Sequence, residues 1–150
     1  LWSRGLGDVY KRQNLNKRAG KGQQIAVRLN VLSDLPWHNL IEMSKFQNIK
    51  FYDYTPNPKR MIEFLRGELP ANYHLTFSRK ENNQAVVELI ANMGGNVAVV
   101  FNKLPQTYLG KRVVDGDASD LRFLDPRGVI VGLKAKGKGK KDTSGFVIHS

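Results

Sequence analysis

The sequence contains no cysteine, so this chain cannot supply a disulfide, a thiolate zinc site, an iron–sulfur ligand or a cysteine nucleophile. That absence fits a reducing cytoplasm, which is the expected location. No apolar run approaches the roughly 18 residues that a spanning helix needs, and the N-terminus lacks the apolar stretch of a signal peptide. No membrane partner is expected. Histidine is scarce too: His38, His74 and His149 lie far apart and form no ligand spacing. No G-x-S-x-G supplies a nucleophile elbow.

Positive charge is in excess, with a formal net charge of +11. Its location matters more than its size. Residues 1–22 hold six Lys/Arg against one acid, and Lys134 to Lys141 hold five lysines, so the remainder is close to neutral. Basic, Gly-rich ends are usually solvated, although they can also bind phosphates. With 150 residues at 41% hydrophobic, the chain suits one domain with a real core. Residues 1–13 (LWSRGLGDVYKRQ) show no periodicity and resemble a translated adapter or assembly scar, and Asn14 to Gln24 reads as a basic linker. Residues 25–150 are then a single domain, expected to be the C-terminal part of a longer protein.

The strongest structural signal is a repeat. Short apolar runs begin at Ile25, Ile49, Tyr73 and Val97, each 24 residues after the last. All are of strand length and rich in β-branched or aromatic residues. A helical pattern fills each gap. Asp34 is the expected cap of the first helix, with Trp37, Leu40 and Ile41 on its inner face. Asn57 before Pro58 caps the second, which buries Met61, Ile62 and Leu65 and ends at Gly67. Asn82 or Asn83 opens the third, with Val86, Leu89, Ile90 and Met93 at helical spacing before Gly94 and Gly95. Repeated strand–helix units imply an α/β domain with parallel strands, either half of a β/α barrel or an open doubly wound sheet. After Asn102 the pattern changes: residues 103–110 read as a loop, KRVV as a short strand, DGDASD as a turn, and GVIVGLK as a clear strand.

In parallel α/β folds ligands bind beyond the carboxyl ends of the strands. Those positions carry Asn30, Ser33 and Asp34, then Asp53, Tyr54 and Thr55, then Ser78 and Arg79, then Asn102 and Lys103. Asp34, Asn57 and Ser78 also suit helix capping. Asp115, Asp117 and Asp120 are clustered carboxylates, but DGDASD lacks the Gly position and terminal Glu of an EF-hand, so no metal is assigned. GLKAKGK (Gly132 to Lys138) has near P-loop spacing, yet Gly139 stands where Ser or Thr should hold magnesium. The expected site uses Asp117, Asp120 and Arg122 to orient substrate, with Arg79, Lys134 and Lys136 on an anionic group. The competing reading is a non-catalytic nucleic-acid-binding protein that uses the lysine segment.

VRLNVLSDLPW (27–37), IKFYDYTPNPKRM (49–61), NYHLTFSR (72–79), NVAVVFN (96–102) and the blocks from DGDASDLRFLD to LKAKGKGKKDTSGFV resemble a family of uncharacterised bacteriophage and prophage proteins, the gene-product-eighty-eight-like group. The S-D and Y-T-x-N-P-K-R pieces look in turn like phage proteins related to radical SAM half-barrels. The resemblance points to Ser33, Asp34, Tyr54, Thr55, Asn57, Lys59 and Arg60 as motif positions, and Pro56 stands where a Lys is expected. It implies that an iron–sulfur cluster and S-adenosylmethionine could belong to the protein only if an upstream segment supplied cysteines. The partners it leaves open are nucleic acid or a nucleotide-like anion.

Overall fold

The computed structural model describes residues 25–30 and 33–150; the segments expected to be scar and linker lie outside them. The four apolar runs become β1 (Ile25–Arg28), β2 (Ile49–Thr55), β3 (Tyr73–Ser78) and β4 (Val97–Phe101). Each begins where its run begins. Parallel pairing joins β1 to β2, β2 to β3 and β3 to β4, with α1 (Trp37–Leu40), α2 (Pro58–Leu65) and α3 (Gln84–Asn92) in the gaps. The sheet then continues through β7 (Ile130–Lys134) and β6 (Lys111–Asp115) to β5 (Thr107–Tyr108), in the order β1-β2-β3-β4-β7-β6-β5. Among the described residues only β5 and β6 pair antiparallel. The strand order there does not close on itself, so this is an open, mostly parallel α/β sheet.

Alternation along the strands sorts the side chains. Phe51, Tyr73, Leu75, Phe77, Val97, Val99, Phe101 and Ile130 join Trp37, Met61, Val87 and Ile90 in one buried core. The register places these strand residues beside one another on the helix side. Arg28, Tyr52, Tyr54, Thr76, Ser78, Ala98, Val100, Val131 and Leu133 therefore share the other face. What covers that face follows from chain direction. From β1 to β4 the chain advances one strand at a time with its helices on one side. From β6 to β7 it steps back, and the right-handedness of parallel crossovers then sends the connection over the opposite side. Residues 116–129 make that return, and Phe123 lies edge-on to Tyr52 with ring centroids 5.7 Å apart.

Several local expectations need correction. Asp34 does not cap α1: Pro36 holds the N-cap position without a side-chain bond, and the helix is only four residues long. Its carboxylate is drawn instead to Arg60 and Thr55, where it meets a full charge. In α3 the buried residues are Val87, Ile90 and Ala91, whereas Leu89 and Met93 are 51% and 40% exposed. Val86 and Ile90 pack on the core as expected, but Val87 and Ala91 complete the buried stripe in place of Leu89 and Met93, so it is shifted around the helix. Leu40 is likewise exposed. The loop expected at 103–110 contains the short β5. Asn57 behaves as expected, accepting from Arg60 N at 3.3 Å with Pro58 in the first turn. Gly137–Lys141, expected as part of a loose tail, forms a 3-10 turn.

Candidate functional site

The carboxyl ends of β1 to β4 and β7 surround a cleft of about 700 Å³. Its floor is the face of the sheet opposite the α-helices: Tyr54 from β2, Ser78 from β3, Ala98 and Val100 from β4, and Leu133 from β7. Arg28, Asn30, Ser33, Asp34 and Pro56 form one wall with Asp120, and Arg79, Lys80 and Phe146 form the other. Parallel strands all end on this edge, which explains why residues so far apart in sequence converge here.

The first wall is set by a buried polar network. Asp53 is fully buried and accepts four hydrogen bonds. Leu29 N and Asn30 N donate to Oδ1 at 3.2 and 2.7 Å, and Asn30 Nδ2 and Tyr73 Oη donate to Oδ2 at 3.1 and 2.6 Å. Burial raises the Asp53 pKa against the lowering pull of those donors. Burial and the neighbouring Asp53 carboxylate push Tyr73 well up as well. Asn30 in turn accepts from Ser33 Oγ, Leu35 N and Trp37 Nε1 at 3.1, 3.1 and 2.7 Å. The turn leaving β1 is thus fixed by residues on the helix side, and Asp53 is a brace rather than a reactive group.

A second set of bonds neutralises Asp34. Arg60 Nη1 donates to its Oδ1 at 2.5 Å and Thr55 Oγ1 at 2.9 Å; Arg60 is 6% exposed. Arg60 and Thr55 therefore support the wall from behind without lining the cleft. Lys59 is exposed on α2 and Asn102 lies beyond β4; neither lines the cleft. Asn102 Oδ1 instead accepts from Lys103 N and Ser150 N.

On the opposite wall Arg79 is 8% exposed. Its Nε donates to Gln84 Oε1 and its Nη1 to Phe146 O, both at 2.8 Å. Nη2 has no partner among the described residues. Cations lie over both aromatic rings of the cleft: Arg28 is 4.7 Å from the centre of Tyr54, and Lys80 is 5.5 Å from that of Phe146. Burial raises the Tyr54 pKa, so its hydroxyl stays protonated.

Of the trio expected to orient substrate, only Asp120 reaches the cleft. Asp117 ties down the end of β7, accepting from Lys134 N at 2.9 Å and from Lys136 Nζ at 3.2 Å. The Lys134 bond foremost holds its pKa below the ordinary carboxylate value. Arg122 is 1% exposed beneath the return connection. Its Nη2 donates to Ser119 O, its Nε is 3.4 Å from Asp125 Oδ2, and Nε and Nη1 lack hydrogen-bond partners. Burial raises the Asp125 pKa despite Arg122. Lys134 and Lys136 lie past the rim.

Sequence reasoning missed Arg28, Lys80 and Phe146. Arg28 carried a usable signal: it is a charge inside a strand flanked by apolar residues, and alternation opposes it to Val27. Lys80 and Phe146 carried none, because their place depends on the last segment returning to β4, where Ile148 bridges Phe101.

A second cavity of about 770 Å³ opens at the other end of the strands, lined by His74, Phe123 and Asp125 among others. Burial, then Arg122, lowers the His74 pKa to about 4. No group of three His, Asp or Glu is placed to hold a metal ion among the described residues. Without cysteine this chain's residues do not fit an iron–sulfur cluster. No helix among the described residues is long and apolar enough to cross a membrane. A family model described as Gene product 88 matches residues 9–150. No curated protein and no solved structure matches the chain.

Proposed function

For this chain, which belongs to the Gene product 88 family, we propose that the cleft at the strand carboxyl ends binds a small anionic ligand of nucleotide-like chemistry, one ring and one phosphate. The observation that carries this reading is Arg79. A guanidinium this deeply buried is costly unless paired, yet it is held rigidly by two neutral acceptors and keeps one nitrogen uncommitted. Such an arrangement is preorganised for an anion, and Arg suits phosphate geometry. Lys80 adds a second cation on the same wall, while one of the two carboxylates opposite, Asp34, is neutralised by Arg60. Tyr54 and Phe146 supply the aromatic surface of the cleft, which a ring would share with the Arg28 and Lys80 cations that lie over them.

The reading stops at binding. Asp120 is the one carboxylate at the cleft without a cationic partner, and a lone exposed carboxylate does not define a reaction. The test is calorimetric titration of the whole chain with 5′-mononucleotides, inorganic phosphate and nucleosides. Mononucleotides should bind more tightly than either fragment, and Arg79→Gln and Lys80→Ala should each weaken them about tenfold or more, as expected for loss of a charge-assisted bond of about 1.5–3 kcal/mol. Absence of mononucleotide binding at millimolar concentration refutes the reading.

A further inference from the structure

The lysine run and the cleft are parts of one surface. Leu133, the residue before Lys134, lines the cleft, and Phe146, five residues after Lys141, lines it again. The lysine segment therefore leaves the rim and returns to it, with Lys141 at most about 17 Å of chain from Phe146. It is a built turn: Gly137–Lys141 form a 3-10 helix, Asp117 fixes its start through Lys134 N and Lys136 Nζ, and Asp142 fixes its exit by accepting from Val147 N at 3.2 Å. In a 3-10 turn residues three apart eclipse, so Lys138 and Lys141 project together. Lys136 is spent on Asp117, but Lys134, Lys138, Lys140 and Lys141 are exposed and enter no ion pair among the described residues.

Resting on the reading of the cleft given above, we propose that its ligand is one nucleotide of a single-stranded polynucleotide, whose adjoining phosphates lie along the Lys134–Lys141 turn. A free mononucleotide would leave four cations beside the rim without a counter-charge. A strand supplies phosphates in series, and the combination of a basic track with aromatic faces is how single strands are held without sequence preference. A duplex does not fit, because a paired base is stacked on its neighbours and the cleft takes one ring.

Fluorescence anisotropy with a labelled 12-nucleotide single strand, as DNA and as RNA, read against a 5′-mononucleotide competitor over a salt series, tests this. Four lysine contacts predict a log–log salt slope near −3, from about −0.7 per neutralised phosphate. At least one of the two strands should bind tenfold or more tighter than the mononucleotide. Replacing Lys134, Lys138, Lys140 and Lys141 by Ala should abolish that preference and flatten the slope while leaving mononucleotide affinity unchanged. Arg79→Gln should weaken strand and mononucleotide alike, with the slope changed by about 1 or less. If the mononucleotide binds but neither strand gains over it, the inference falls and the cleft reading stands. If a strand binds with the lysine-dependent slope but Arg79→Gln has no effect on it, turn and cleft do not share a ligand and the inference is again overturned. If a matched duplex binds as tightly as the single strand, the single-strand assignment is wrong.

Discussion

Replacing Asp53 is the most direct test of what fixes the cleft wall. The carboxylate is fully buried and satisfies four donors, two of them the backbone N–H groups of Leu29 and Asn30 at the exit of β1. In Asp53→Ala all four lose their acceptor. A buried donor left unmade costs about 1–3 kcal/mol, but the four share one site and are not additive, so about 3–5 kcal/mol is expected. For a chain this size that lowers the melting temperature on the order of 10 °C. Asp53→Asn keeps the acceptor for both backbone groups, and the Tyr73 hydroxyl can turn to accept from the new amide. Only the Asn30 amide bond is lost, so about 1–2 kcal/mol is expected. The pH dependence separates charge from hydrogen bonding. Burial raises the Asp53 pKa in the fold, so the folded state holds that proton more tightly than the unfolded chain does. Its stabilising contribution is complete below the unfolded carboxylate value and is lost as pH rises through the folded one. The stability gap between wild type and Asp53→Asn should therefore narrow as pH is raised from about 4. Urea denaturation across that range measures it. A gap that widens with pH would show that the four donors outweigh burial, and Asp53→Ala within 1 kcal/mol of wild type would refute the bracing role itself.

Other positions give independent checks. A Cβ on Gly116 would lie 2.6 Å from Val131 Cγ1 and 2.7 Å from Arg122 Nη1, so Gly116→Ala should destabilise by about 1–3 kcal/mol through overpacking of the return connection; a neutral result by thermal melting contradicts the close packing there. Asn57→Ala should cost about 1 kcal/mol by uncapping α2, measured by urea denaturation, with Asn57→Ser recovering most of it. His74 is held neutral down to about 4, while the unfolded imidazole protonates near 6.5. Its stabilising contribution is thus present above about 6.5 and lost as pH falls towards 4, by up to about 3 kcal/mol. His74→Phe should remove most of that acid sensitivity, and an unchanged acid limb would place its cause elsewhere.

The parallel half of the fold was legible because its signals are local. Runs of β-branched and aromatic residues spaced 24 apart mark β1 to β4 at Ile25, Ile49, Tyr73 and Val97, and Asn57-Pro58 fixes the start of α2 by capping chemistry alone. Periodicity failed where a second influence competed with it. Asp34, two residues before Pro36, suits a helix terminus by local pattern, but a guanidinium on α2 offers a full charge where α1 offers only partial ones. The α3 stripe, read from Val86, Leu89, Ile90 and Met93, keeps Val86 and Ile90 inward but exposes Leu89 and Met93, because Val87 and Ala91 take the remaining contact with the sheet. In the first case the rival partner lies on another element, and in the second the spacing leaves open which edge of the stripe faces the sheet.

The site was half legible for a related reason. Residues at the ends of consecutive parallel strands can be read off the repeat, and Ser33, Asp34, Tyr54, Ser78 and Arg79 do meet at one cleft. Everything contributed after β4 depends on the reversal of winding between β6 and β7, which no local pattern announces. That reversal lays Arg122 over the sheet instead of at its edge, separates Asp117 from Asp120 in role, and brings Phe146 onto Arg79. The cluster DGDASD is dense in carboxylates because it turns the chain onto the opposite face: Asp115 accepts from Asp117 N, and Asp117 accepts from Lys134 N. Carboxylate density there reports the turn, so the residue to follow for binding is not the most acidic one but Arg79, which is buried at the shared edge of the sheet with its Nη2 uncommitted among the described residues.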